Sequence, residues 1–514
     1  LYPENVNVYN INKGMATDAY DANRYKTENM ISYLIYGDMK TKENFKGWFD
    51  TKVWILEDGD ACPKLNVDAM YSKLNVYDNS VPISSSEYLR QVFDIIRNYP
   101  DVEQTFIVNT DDENNVLDLE GTEFATIAPN IDKPMKASIL VAEGKKFTIK
   151  NFKLSGANHS FFGYISTGIV RGFTFKDATV THSTENGGSS AVVATDLLAG
   201  AALENCRVVN SKITANSSSY VGMVAAKNTN GKLQNCSVDF DTAADLSVLH
   251  FFGGNVVCGG IVGYNASQIS GGVVNYLQIK NNANGSVNVG GAVGYSEGYI
   301  ENVYVRGSVA VKDLSSTKGS AGGFAGFVKG TVTNCLSIAV VSSKEDNTEL
   351  YTGGFAGYLA ENSTITRSFY GNADGSGAEG SSVSGYWVAG FVCESHGTIT
   401  ESYTKSVITG QKAAGLVVAN YGTLENCGVY DGTILVGTST VDGSALSGIC
   451  SKLKEGSYVN NCFSSAKFTG DSFTVVLDGI AWFSECESEF RIFKITKLLM
   501  SMSDLYHFGT WGNN

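Results

Sequence analysis

Proline is nearly missing from this 514-residue chain, which has six, and histidine numbers only five. Scarce proline beside 56 glycines excludes a proline-rich linker protein and points to many tight turns between short strands. Charged residues are also few, at 18%, and the formal net charge is −14 with no run of Lys and Arg. A polyanion would be repelled, so no nucleic-acid partner is expected. No stretch reaches the roughly 18 consecutive apolar residues of a membrane-spanning helix. The longest candidate, 473–483, is short and carries Asp478, so no transmembrane span is expected. The histidines His159, His182, His250, His396 and His507 lack ligand-like spacing, and there is no His-Glu-x-x-His. Ten cysteines include no Cys-x-x-Cys pair.

What the chain has instead is a repeat. Gly259-Gly260-Ile261-Val262-Gly263-Tyr264 returns as Gly290-Gly291-Ala292-Val293-Gly294-Tyr295, then as Gly322-Gly323-Phe324-Ala325-Gly326-Phe327 and Gly353-Gly354-Phe355-Ala356-Gly357-Tyr358. Degenerate copies centre on Gly390, Gly415, Gly448 and Gly479, and earlier ones on 160, 190 and 222, giving an average spacing of ~32 residues. A second segment alternates apolar and polar residues, as in Leu203-Glu204-Asn205-Cys206-Arg207-Val208 and Leu424-Glu425-Asn426-Cys427-Gly428-Val429. That period is the mark of a strand with one buried face. One unit cannot bury its own apolar face, so stacked units must share a core. The expected fold is an all-β, right-handed parallel β-helix of about ten repeats. A β-propeller is the rival, but its blades are longer, at ~40 residues.

The columns such stacking creates carry the structural candidates. Gly260, Gly291, Gly323, Gly354, Gly390, Gly415 and Gly448 fit a place of close backbone approach or positive φ. Cys206, Cys236, Cys335, Cys427 and Cys462 share one repeat position. They read as a column of small buried thiols, or as inter-unit disulfides such as Cys206–Cys236 or Cys427–Cys462. The Asn before each Cys suits a hydrogen-bonded ladder along a turn. Asp111, Asp112, Glu113 and Asp118 form the weak calcium candidate, read first as a solvated acidic loop without EF-hand spacing. No other cofactor is expected, and no catalytic residue is singled out, because no repeat looks exceptional.

The anchors resemble the GLUG motif of bacterial, Bacteroidetes-like, adhesin-like surface proteins, also found beside immunoglobulin A-specific metallopeptidases. The resemblance spans roughly residues 80 to 485. It implies a β-helix at the cell surface or outside the cell, and no particular activity. Within it, Ile83 to Asn98 reads as a capping helix with Ser84 to Ser86 as N-cap and Leu89, Val92, Phe93 and Ile96 as its apolar stripe. Thr105 to Val108 would be the first strand. Residues 1–66, with Trp48, Trp54 and Cys62-Pro63, resemble the closing segment of a preceding β-helix module. Residues 67–81 would then be a linker, 82–489 the β-helix, and 490–514 a C-terminal cap or tail.

The expected function is an extracellular bacterial surface protein, not an enzyme, that binds or displays. Its partner would be a host glycan, a host protein or a neighbouring cell-surface protein. The segments Glu345 to Thr352 and Asp374 to Gly385 break the pattern and are the expected contact points. The rivals are a carbohydrate-active enzyme, which needs clustered carboxylates on one face, and a filament or spacer that self-associates end to end.

Overall fold

The computed structural model describes residues 80–469, apart from residues 111–114, 156–158, 183–187, 216–218, 242–246, 253, 283–284, 315–317, 372–380, 431–432 and 439–444. Outside that span it describes a parallel pair, Val8–Asn10 with Ile31–Tyr33, an antiparallel pair, Trp54–Ile55 with Lys64–Leu65, and the strand Phe483–Ser484. Residues 490–514, the expected cap or tail, lie outside the described residues, as do Asp111, Asp112 and Glu113.

The chain is a β-solenoid of about ten coils. The anchor segments form an 11-stranded parallel sheet running from Phe162–Ile165 to Phe483–Ser484. The other walls form a 37-stranded sheet whose pairings are also parallel. Each coil bonds to its neighbour one repeat away, as in Phe324 N–H to Phe355 O at 2.8 Å and Phe355 N–H to Phe391 O at 2.9 Å. A propeller is thereby excluded, since its blades would pair antiparallel within themselves.

The glycine column works by close approach. A β-carbon on Gly260 would lie 2.1 Å from Gly291 O, on Gly323 2.2 Å from Gly354 O, and on Gly415 2.0 Å from Gly448 O. Two anchor assignments shift. Hydrogen-bond register puts Gly222 beside Gly259, so Met223 takes the column of Gly260, and Val192 rather than Ser190 precedes it there. Spacing of small residues follows composition, whereas register follows the ladder. Behind the glycines, Phe324, Phe355 and Phe391 stack face to face at 4.6 and 4.8 Å inside the core. Each such buried side chain contributes ~1.5–3 kcal/mol before the entropy of ordering is subtracted.

The turn column contains Asn205, Asn235, Asn302, Asn334, Asn426 and Asn461, all with φ between 50° and 56°. Asn tolerates this left-handed conformation because its amide bonds locally. Asn461 Nδ2 donates to Asn426 Oδ1 at 3.0 Å, and Asn334 donates likewise to Asn302. The next residue points inward. Cys206, Cys236, Cys335 and Cys427 are buried, Cys462 half-buried, and all five are free thiols.

The helix is Ser86–Asn98, shorter than expected, because Ser80–Ile83 is instead a strand paired with Thr105–Val108. The β-helix thus begins inside the segment read as linker. Ser85 is the N-cap, its Oγ accepting from Tyr88 N–H at 3.1 Å. Leu89, Val92, Phe93 and Ile96 are buried. Phe93 meets Phe161 edge-on at 5.2 Å, and Phe161 stacks on Phe124 at 4.2 Å, so an aromatic plug closes this end of the core. Two expected loops are partly strand: Leu350–Gly353 takes the end of one, and Ser382–Ala389 the end of the other.

Adding one methyl group in the glycine column tests the packing. Gly323→Ala has no free volume and should cost ~1–3 kcal/mol, as overpacking does. The measurement is the urea midpoint, which falls. An unchanged midpoint would mean that the coils spread freely.

Candidate binding face: an outward aromatic ladder

The last position of the glycine motif points outward. Register places Tyr164, Asp196, Lys227, Tyr264, Tyr295, Phe327, Tyr358, Glu394, Ala419 and Lys452 in one outer column of the anchor sheet. Four consecutive members are aromatic and stack, at 5.8 Å for Tyr264–Tyr295, 4.8 Å for Tyr295–Phe327 and 4.7 Å for Phe327–Tyr358. The stack then crosses to the adjoining turn. His396 lies 5.3 Å from Tyr358, and Tyr421 4.1 Å from His396. Lys454 Nζ sits 5.7 Å over Tyr421 at one end, and Lys227 Nζ 4.8 Å over Tyr220 at the other.

Because these rings lie face to face, they present edges and hydroxyls to solvent rather than faces. Glu297 binds two of those hydroxyls: Tyr264 Oη donates at 3.1 Å and Tyr295 Oη at 3.2 Å. Lys329 donates to the same carboxylate at 3.0 Å, and this bond leads the causes that hold Glu297 below its ordinary value. Burial, then Glu297, pushes Tyr264 and Tyr295 up to about 12. Farther along, Glu394 replaces the aromatic residue. His396 Nε2 lies 2.9 Å from Glu394 Oε1, and burial together with Glu394 raises Tyr351 to about 12. Trp387 follows Tyr351 in the neighbouring outer column and anchors its Nε1 on Thr348 O at 3.0 Å. Glu394, His396, Tyr351, Tyr358, Trp387 and Tyr421 form the richest polar-aromatic cluster on this face.

No repeat looked exceptional in the sequence, yet the coils around Glu394 are. The available signal was the sixth motif position, aromatic in four successive units and then Glu394.

The other candidates fall elsewhere. Asp118 lies on the strand Val116–Glu123 rather than in a loop. Its carboxylate accepts from Glu120 N–H at 2.9 Å and Asn151 Nδ2 at 2.9 Å, and it pairs with Lys150 at 3.1 Å. These partners, the Glu120 amide first, lower its pKa. It lines an open pocket of about 440 Å³ with Glu120, Asn151, Lys153 and Asp177. Among the described residues, no group of three or more His, Cys, Asp or Glu is placed to hold a metal. The Gly and Cys columns serve the core. His182 Nδ1 meets Ser190 Oγ at 3.1 Å, but both are buried, which closes that pair to substrate.

No family model matches the chain, and no curated protein matches it. Among solved structures, it is similar to a Bacteroides ovatus protein named a "putative immunoglobulin A1 protease", at 17% identity and a TM-score of 0.31, covering 73% of this chain and 84% of that one.

The phenol–carboxylate bonds make the ladder sensitive to alkali. The folded tyrosines have raised pKa values, so their contribution is complete below the unfolded value near 10 and is lost as pH climbs toward about 12. Ultraviolet titration should resolve a late tyrosinate class, reduced in Tyr295→Phe. A single transition at the ordinary value would refute the bonding described.

Proposed function

We propose that this protein is a bacterial surface β-helix, GLUG-like and adhesin-like, that binds an extended glycan across the aromatic face. The observation that supports this most is the cluster around Glu394. A carboxylate bound to His396 and flanked by Tyr351 and Trp387 offers donors, acceptors and apolar surface at one spot. Sugars carry the complementary set, hydroxyls around the ring edge and C–H groups on its faces. The stripe runs along the coil axis, so successive coils, ~4.8 Å apart, can meet successive units of one chain. Tyr220 and Tyr421 are each 37% exposed at the two ends. The acidic net charge favours neutral or basic ligands over polyanions.

Extracellular placement belongs to this proposal and rests on the resemblance of the repeats. Among the described residues no helix is long and apolar enough to cross a membrane. Binding without turnover is part of the same reading.

A glycan array and a reducing-end assay test it together. Wild type should retain a glycan without releasing new ends. Trp387→Ala and Tyr421→Ala should each weaken retention roughly tenfold or more, as loss of an aromatic anchor does, with little change in melting. Retention of host proteins alone would move the reading to a protein adhesin. New reducing ends would make it an enzyme, and retention that ignores both substitutions would remove the face from the account.

A further inference from the structure

We propose that Cys427 and Cys462 form a redox modification site, closed by a low-molecular-weight disulfide into a bond between adjacent coils. The five cysteines of the turn column are not equivalent. Register sets Cys427 opposite Cys462, between the pairs Leu424–Val459 and Gly428–Phe463. It sets Cys206 opposite Cys236 in the same way, between Leu203–Leu233 and Arg207–Ser237. Cys335 has no thiol beside it; its neighbours in the column are Val303 and Ser368. The thiols themselves donate to backbone carbonyls, Cys427 to Ile399 O and Glu425 O and Cys462 to Asn460 O. Exposure separates them. Cys206, Cys236 and Cys427 are buried, whereas Cys462 is half-buried in the last described complete coil.

Opposed residues of parallel strands lie ~4.8 Å apart, inside the ~4.4–6.8 Å range that disulfides span. The torsion at sulfur demands that one side chain turn out of the column. Cys462, half-buried, has a solvent side on which to turn, whereas Cys206 and Cys236 are both fully buried.

The reaction balances with the oxidant as electron acceptor. Cys462 loses its proton to solvent and attacks the small disulfide, forming a mixed disulfide and expelling one thiolate. Cys427, losing its own proton, attacks the Cys462 sulfur and expels the second thiolate. One S–S bond replaces two S–H bonds, and two electrons reduce one small disulfide to two thiols, which take up the protons. The product ties the last two described complete coils together.

The test is exposure of native full-length protein to oxidised glutathione, followed by alkylation and peptide mapping. The expected product is a Cys427–Cys462 cross-linked peptide, with Cys206, Cys236 and Cys335 unmodified until urea is added. The urea midpoint should rise and return with dithiothreitol. Cys427→Ser should hold glutathione on Cys462 without further reaction. A wild-type protein that keeps a stable glutathione adduct at Cys462, or that leaves Cys427 and Cys462 as free thiols, overturns the proposal on peptide mapping alone, whether or not the variant folds.

Discussion

In the glycine column, each carbonyl oxygen occupies the space that a β-carbon of the adjacent coil would need. That contact dictates much of the rest of the molecule. From Gly260 onward, where the column is glycine, this contact leaves no room for an added β-carbon, so those anchor strands sit flush and their register is held. A one-residue slip would turn every inward side chain outward. With register fixed, every position becomes a column, and the chemistry of a column is the sequence read once per repeat.

Columns of like residues then do the same physics inside and outside. Phe324, Phe355 and Phe391 stack within the core at nearly the spacing of Tyr295, Phe327 and Tyr358 on the surface. Stacked pairs add ~0.5–1.5 kcal/mol beyond burial, so both ladders stiffen the rod. The outer one differs in what its edges carry. Its hydroxyls, from Tyr264 and Tyr295, meet Glu297, and the carboxylates Glu297 and Glu394 each have a basic partner, Lys329 or His396. A structural element of the solenoid has thereby acquired a polar rim.

The fold was legible because it is a property of periodicity. Gly259-Gly260 and its copies, the alternation at Leu203 or Leu424, and the stripe on the helix each reflect a contact repeated many times. Two details were not legible. The helix start at Ser86 depended on Ser80–Ile83 finding a strand partner at Thr105–Val108, which no local pattern announces. The displaced anchors at Val192 and Met223 depended on hydrogen-bond register. The face was harder still, since Trp387 and Glu394 are seven positions apart and His396 lies in a turn. Only the coil brings them to one side.

Function in a repeat fold should concentrate where a column changes character, because unbroken columns are sufficiently explained by stability. The coils between Gly354 and Tyr430 depart from their neighbours in several columns at once. Glu394 interrupts the aromatic column, His396 and Tyr421 place rings in the turn where earlier coils have Glu297 and Lys329, and Arg367 and Glu401 hold the left-handed turn that Asn or Gly holds in the other coils of that column. A non-glycine residue without the Asn amide is costly there, by ~1–2 kcal/mol. Arg367 recovers part of that through a bond from Nη2 to Thr333 Oγ1 at 3.3 Å. These three departures lie together on the coils that carry the proposed binding face.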